Sequence, residues 1–169
     1  MIDGLPEFCG VTEENQLAAI DTYLAKGLKP DIWWIDAGWY PCNNDWPTTG
    51  NWYPNPDHFP NGMGPVGEKL AKEGIDFLVW FEPERVRKGE EIDREHPEWL
   101  LSVGESDNKL FDLGNPEARA WITDRVDSII KASGVKIYRQ DFNFDPLPIW
   151  KANEAPDRIG FLENRHAMG

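Results

Sequence analysis

Residues 31–36 read Asp-Ile-Trp-Trp-Ile-Asp, a short apolar run that ends in an acid. A run of this length, bounded by polar residues, predicts a buried β-strand. Two later stretches, 75–82 and 135–141, have the same form, with apolar residues first and polar residues at the end. The sequence therefore predicts three strands of one kind.

A helical pattern precedes each of these strands. The first helix is predicted over 13–26 with Thr12 as its cap, and the second over about 65–72. The third is predicted to begin after Asn115, with a proline at its first position, and to end at Gly134. Regular alternation of helix and strand is typical of a parallel sheet, in either a barrel or an open doubly wound fold. No glycine-rich phosphate-binding loop follows a strand, which argues against a nucleotide-binding version of the open sheet.

The connecting segments carry weaker signals. A long loop rich in Trp, Asn and Pro is predicted over 38–62, and a mixed polar segment over 83–113 with short helical turns around Glu90 and Pro97. After the third strand we expect a loop and the start of another helix. No linker divides the chain, so we interpret residues 1–169 as one domain.

The composition indicates which kinds of ligand this chain can bind. The formal net charge of -13 argues against nucleic acid and anionic membranes, which would repel the chain, and favours a neutral or small polar ligand. Nine tryptophans offer flat apolar rings of the kind that pack against sugars. No signal peptide and no membrane-spanning run is visible, which favours a cytoplasmic over a secreted location. The histidines and the two cysteines (His58, His96, His166, Cys9 and Cys42) have no metal-ligand spacing, so no metal site is predicted.

Each of the three predicted strands ends in an acidic residue. Asp36, Glu82 and Asp141 close the three apolar runs. Because side chains alternate along a strand, one face is shared by Trp34 and Asp36, by Trp80 and Glu82, and by Arg139 and Asp141. The carboxyl ends of parallel barrel strands form the active face, so these side chains are expected in one pocket.

Carboxylates, a cation and tryptophans in one pocket suit glycoside hydrolysis. One carboxylate attacks the anomeric carbon, and a second carboxyl group protonates the leaving oxygen. A cation beside Asp141 would favour its ionised, nucleophilic form. Any one of these acids alone would be interpreted as a strand-end cap or a solvated group, but three strand ends of one character favour a site.

Five motifs carry a resemblance to a known family. In chain order they are WWIDAGWY (33–40), FLVWFEPERV (77–86), HPEWLL (96–101), FDLGNPEAR (111–119) and YRQDFN (138–143). Together they resemble the successive signatures of glycoside hydrolase family 36. The resemblance implies a (β/α)8 TIM barrel of a retaining α-galactosidase, without metal or cofactor, of which this chain would hold about strands two to four as an internal fragment truncated at both ends.

The resemblance also implies roles for individual residues. Asp141 corresponds to the catalytic nucleophile, and Arg139 stands where many members have a substrate-binding lysine. Asp36 corresponds to the first acid of an Asp-Asp-Gly-Trp motif that binds sugar hydroxyls, and Ala37 replaces the second acid. The remaining substrate-binding residues implied are Trp39, Trp80 and Asn143.

The resemblance leaves several points open. The acid/base carboxyl group of the family lies on a later strand, so the isolated chain is expected to be inactive. An α-N-acetylgalactosaminidase, a raffinose-type galactosyltransferase or a non-catalytic sugar-binding remnant are alternatives to an α-galactosidase. The expected partner is a small carbohydrate, and unpaired strand edges favour association into homo-oligomers.

Overall fold

Helices and strands alternate through the part of the chain that the computed structural model describes, residues 6–168. In chain order the elements are α1 (Glu13–Ala25), β1 (Ile32–Ile35), α2 (Gly64–Glu73), β2 (Asp76–Phe81), β3 (Arg85–Arg87), α3 (Glu91–Glu95), a 3-10 turn (Pro97–Trp99), β4 (Leu100–Leu101), β5 (Asn108–Phe111), α4 (Pro116–Ser133), β6 (Ile137–Gln140), α5 (Leu147–Asn153) and α6 (Phe161–Ala167). The described residues divide into two compact units. The first unit contains residues 6–46, 52–81 and 126–141, and the second contains 47–51, 82–125 and 142–168.

The first unit is built on a parallel sheet in the order β1-β2-β6. Trp34 pairs with Leu78 between β1 and β2, and Trp80 pairs with Arg139 between β2 and β6. The three predicted parallel strands are therefore confirmed, although each is two or three residues shorter than predicted. Since the strands are parallel, their carboxyl ends lie at the same end of the sheet, as predicted.

The burial of β1 differs from the prediction of a buried strand. Ile35 is buried, but Ile32 and Trp34, on the opposite face, are 47% and 49% exposed. Within the described residues β1 pairs only with β2, so it is an edge strand. The face of β1 that carries Ile32 and Trp34 is also open to solvent. On the central strand β2, Phe77 and Val79 lie on the same face as Ile35 and are buried as well.

Local signals explain where the helices of the first unit begin and end. The Thr12 and Asn15 side chains each accept a hydrogen bond from the other residue's backbone N–H, which closes a capping box at the start of α1. Gly74 ends α2 in the left-handed conformation, with φ of 67°. Within α2, a Cβ atom on Gly67 would lie 1.9 Å from the carbonyl oxygen of Ser133. The glycine thus permits α2 to approach the end of α4.

The second unit contains an antiparallel sheet in the order β3-β5-β4, which the sequence did not predict. Strands of two to four residues carry too little alternation to be recognised. The aromatic rings of Trp99, Phe111 and Trp121 pack together within this unit. The turns predicted around Glu90 and Pro97 are confirmed as α3 and the 3-10 turn.

No helix within residues 6–168 combines the length and the apolar character needed to cross a membrane. After β6 the sequence predicted a loop and the start of one helix, and the structure has two short helices, α5 and α6.

The two cysteines lie side by side in the first unit. The Sγ atoms of Cys9 and Cys42 are 3.8 Å apart, and both side chains are buried free thiols. Burial, together with the neighbouring Cys9, raises the pKa of the Cys42 thiol to about 12. The sequence spacing gave no sign of this pair, because 33 residues separate its members.

Replacing Gly67 by Ala tests the close approach of α2 and α4. Ala is normally favoured over Gly inside a helix by about 1 kcal/mol. Here the added methyl group would meet a backbone carbonyl oxygen, so we expect a loss of about 1–3 kcal/mol, measured by thermal or urea unfolding. Gly64→Ala, one turn earlier, is the control because its nearest atom lies at 3.3 Å. Equal stabilisation by both substitutions would contradict the close approach.

Thiol labelling tests the buried cysteine pair. At slightly alkaline pH the Cys42 thiol stays protonated and shielded, so iodoacetamide should modify the folded chain much more slowly than the urea-unfolded chain. Mass spectrometry of timed samples measures the rate at each cysteine. Modification of the native protein at the rate of the unfolded chain would show that the pair is accessible.

Candidate active site

The carboxyl end of the parallel sheet brings three predicted site residues together. Asp141 directly follows β6, and its backbone N–H donates to the Phe81 carbonyl oxygen at 2.8 Å. This bond continues the pairing of β2 and β6 by one residue. The alternation of β6 then places the Arg139 and Asp141 side chains on the face that carries Trp80.

Trp80 and Arg139 both donate a hydrogen bond to one oxygen of the Asp141 carboxylate. Trp80 Nε1 donates to Oδ2 at 2.9 Å, and Arg139 Nη1 donates to Oδ2 at 3.0 Å. The Arg139 contact is also an ion pair, so it favours the carboxylate over the neutral acid. The Asp141 side chain is 30% exposed. A small molecule can therefore reach a carboxylate whose orientation is already fixed.

The two tryptophans predicted to line a sugar pocket are core residues. Trp39 is 0% and Trp80 is 1% exposed. Trp39 Nε1 donates to the Trp80 carbonyl oxygen at 2.9 Å, and its ring packs edge-on against Phe81. Neither indole exposes surface in this structure, so the sugar contacts expected of Trp39 and Trp80 stay a prediction. Trp39 supports the backbone of Trp80, and Trp80 orients Asp141.

An aromatic layer covers Trp80, and the sequence did not identify it as part of the site. Tyr40 stacks on Trp80 at 6.2 Å between ring centroids, Trp46 contacts it edge-on at 6.0 Å, and Trp52 lies at 6.4 Å. The Tyr40 hydroxyl donates to the Trp46 carbonyl oxygen at 2.6 Å. The only available signal was the richness in Trp of the loop predicted over 38–62.

Asp36 lies at the end of β1 in a cleft of its own. Its Oδ1 accepts the backbone N–H of Ala37 at 2.8 Å. The open cleft of about 510 Å³ is lined by Asp36, Ala37 and residues of the segment 6–11. Gly38 has φ of 85°, and a Cβ atom there would lie 2.2 Å from the Phe8 carbonyl oxygen. A glycine is therefore required at position 38, because the turn that contains Phe8 packs directly against it.

Glu82, the residue that follows β2, is buried in the second unit. Its Oε2 accepts from Arg85 Nη2 at 2.5 Å, and its Oε1 accepts the backbone N–H of Asn143 at 2.7 Å. Burial raises the pKa of this carboxyl group, and the Asn143 and Arg85 contacts partly offset the rise. Both oxygens are engaged and the side chain is 0% exposed, so Glu82 serves as a structural group in this unit.

Asn143 is exposed, and its side-chain amide is directed at Glu82, with Nδ2 3.4 Å from Oε2. Arg85 was missed as part of this arrangement. The signal was the spacing of Glu82 and Arg85, three residues apart with opposite charges.

Among residues 6–168, no three His, Cys, Asp or Glu side chains are grouped closely enough to hold a metal ion.

Comparisons with known proteins point to one family. Residues 12–155 match the model of the family described as Melibiase. Alpha-galactosidase C of Emericella nidulans is 34% identical in an alignment of 127 positions that covers 64% of this chain and 17% of that protein. The chain spans about a fifth of the length of the relatives it matches.

Solved structures show the same fold. The α-galactosidase of Lactobacillus brevis superimposes with a TM-score of 0.80 at 21% identity, over 95% of this chain and 22% of that one. A variant of the family 36 α-galactosidase AgaA of Geobacillus stearothermophilus, in complex with raffinose, gives a TM-score of 0.79 at 21% identity, over 95% of this chain and 23% of that one. At this identity the likeness confirms the predicted part of a TIM barrel.

Replacing Arg85 by Met tests the structural role of Glu82. The variant would leave a buried carboxylate without its cation, which costs about 3–5 kcal/mol at neutral pH. The raised pKa of Glu82 means that the folded state favours the protonated acid, so its contribution is fully present below the unfolded pKa and is lost as the pH rises through the folded pKa. The deficit should therefore shrink as the pH is lowered toward the ordinary value for a glutamate.

Urea unfolding at several pH values measures this deficit. Arg119→Met is the matched control in the same unit, because Arg119 Nη1 donates to the neutral carbonyl oxygen of Leu113. A small and pH-independent loss is expected for the control. The same behaviour in Arg85→Met would mean that the pair with Glu82 contributes little.

Proposed function

Since the chain belongs to the melibiase family, of glycoside hydrolase family 36 type, we propose that it forms the nucleophile-bearing part of the catalytic barrel of a retaining α-galactosidase. Residues 1–169 are one part of that barrel domain in this proposal. The observation that carries it is the Asp141 carboxylate, partly exposed at the carboxyl end of a parallel sheet and oriented by Trp80 and Arg139.

The proposed reaction has two steps. A carboxylate oxygen of Asp141 attacks the anomeric carbon of a terminal α-galactosyl group, and the bond to the leaving oxygen breaks as that oxygen takes a proton from an acid carboxyl group. Water then attacks the anomeric carbon from the opposite side, gives its proton to the same carboxyl group, and releases Asp141. The two inversions return the original configuration.

Each of the first unit's site residues has a share in this reaction. Arg139 keeps Asp141 ionised before the attack, and it also has donors for a sugar hydroxyl in place of the lysine that the family pattern has there. Trp80 fixes the carboxylate from the other side. Asp36, half-buried at the end of β1, is the proposed acceptor for sugar hydroxyls.

Asn143, exposed after β6, is the proposed donor to a sugar hydroxyl. In this proposal the acid carboxyl group belongs to residues outside this chain, at about 5–5.5 Å from the nucleophile in the assembled site. The isolated chain is therefore expected to hydrolyse nothing.

Relatives and fold neighbours guide the choice of substrate. The related proteins are named α-galactosidases, and neighbouring structures contain raffinose or stachyose. We propose oligosaccharides with a terminal α-galactosyl group as the substrates. No particular observation favours N-acetylgalactosaminides or galactosyl transfer.

The test is Asp141→Asn in the complete gene product, including everything encoded on either side of this chain. The amide is a poor nucleophile and no covalent intermediate can form. The kcat/KM for an aryl α-galactoside should fall by about four orders of magnitude or more, while the circular dichroism spectrum is unchanged. Asp124→Asn, the same change at an exposed position on α4, should leave the rate near that of the wild type.

A mechanism-based galactosyl label gives an independent readout. In the wild-type gene product it should attach to the peptide that contains Asp141. Attachment to Glu82 or Asp36, or substantial turnover by Asp141→Asn, would refute the assignment of the nucleophile. Sugar binding without turnover in the wild type would instead indicate a non-catalytic remnant.

A further inference from the structure

A tryptophan on the edge strand contacts the cation that pairs with Asp141. The Cζ atom of Arg139 lies 5.1 Å from the centroid of the Trp34 ring, within the range of a cation–π interaction. The same guanidinium group donates from Nη1 to Asp141 Oδ2 at 3.0 Å. Arg139 is thus held between an aromatic ring and a carboxylate.

The register of the sheet explains how the contact arises. Trp34 on β1 pairs with Leu78 on β2, and Leu78 pairs with Ile137 on β6. Arg139 is two residues beyond Ile137 on the same face, so its side chain reaches back over the central strand toward Trp34. The span is two strand spacings of about 4.8 Å each, which requires a long side chain.

Core packing within residues 6–168 does not account for Trp34. Its side chain is 49% exposed, although indole is among the largest apolar groups, and it lies on an edge strand. On the opposite face of β1, Trp33 Nε1 donates to Gln16 Oε1 at 2.9 Å, and the Trp33 ring packs edge-on against Tyr23. Trp33 is thus explained by its contacts with α1, and Trp34 by its contact with Arg139.

We propose that Trp34 is a positioning residue that holds the Arg139 guanidinium in the orientation in which it donates to Asp141. This inference rests on the proposed function of Asp141 as the nucleophile. The planar guanidinium can stack on the indole and donate to the carboxylate at the same time, since its donors lie in its plane. An ammonium group at position 139 could pair with Asp141, but it has no plane to stack on the ring.

A double-mutant cycle in the complete gene product tests this proposal. Trp34→Leu removes the ring, Arg139→Lys keeps the charge without the plane, and the double variant combines them. Trp34→Phe keeps an aromatic face and serves as the conservative rescue. Ile32→Ala is the matched control, because Ile32 lies on the same face of β1 and is 47% exposed.

We expect Trp34→Leu to lower kcat about two- to fivefold, the fold-change that corresponds to a cation–π contact at an exposed site. KM for an aryl α-galactoside should change little, and the acidic limb of the pH–rate profile should move to higher pH, because the cation then stabilises the carboxylate less. Trp34→Phe should retain most of the rate. In the Arg139→Lys background, Trp34→Leu should have a clearly smaller effect, because the ammonium group can lie near the ring but does not stack on it.

Other results would overturn the proposal. Equal losses from Trp34→Leu in both backgrounds would mean that Trp34 does not act through Arg139. A change confined to KM would mean that the ring contacts substrate, and a comparable loss in Ile32→Ala would mean a general effect of trimming this face.

A wild-type gene product that does not hydrolyse α-galactosides would refute the proposed function separately. The positioning role is then decided by nuclear magnetic resonance. The midpoint of the Asp141 carboxyl titration should rise in Trp34→Leu, and the upfield ring-current shift of the Arg139 guanidinium protons should disappear. If both signals match those of the wild type, Trp34 does not position Arg139.

Discussion

The parallel pairing of β2 with β6, extended by the bond from the Asp141 N–H to the Phe81 carbonyl oxygen, is the constraint on which the rest of the site depends. It sets Trp80 opposite Arg139, so that both donors and the acceptor lie on one face of two adjacent strands. A slip of one residue would turn Arg139 and Asp141 to the other face together.

The two carboxylates that directly follow β2 and β6 in the chain have opposite environments. Glu82 is buried, and both of its carboxylate oxygens accept hydrogen bonds. Burial raises the pKa of this carboxyl group, because it removes the group from water. Asp141 keeps contact with solvent, and Trp80 and Arg139 both donate to its Oδ2. Sequence position alone treats them as equivalent, since each follows an apolar strand. Burial and the hydrogen-bond partners separate a group that stabilises the fold from one that is able to react.

The sequence was sufficient where local patterns dominate. The three strands and their helices follow from apolar runs and from caps such as Thr12 and Gly74, which act within a few residues. It was insufficient where burial depends on residues far apart in the chain. Trp80 and Trp34 occupy similar positions in similar strands, yet the rings of Tyr40, Trp46 and Trp52 cover Trp80, whereas Trp34 is 49% exposed. The antiparallel strands after Glu82 were not predicted, because they are too short to show an alternating pattern.

The layer of rings around Trp80 also has an optical consequence. Trp39, Trp46, Trp52 and Trp80 are linked by ring contacts of 5.9 to 6.4 Å between centroids. Indoles at such distances exchange excitation energy and couple their electronic transitions. Coupling among these four indoles therefore contributes to the near-ultraviolet circular dichroism of this chain, and loss of that contribution would report a disturbance of the layer that supports Asp141 without any added probe.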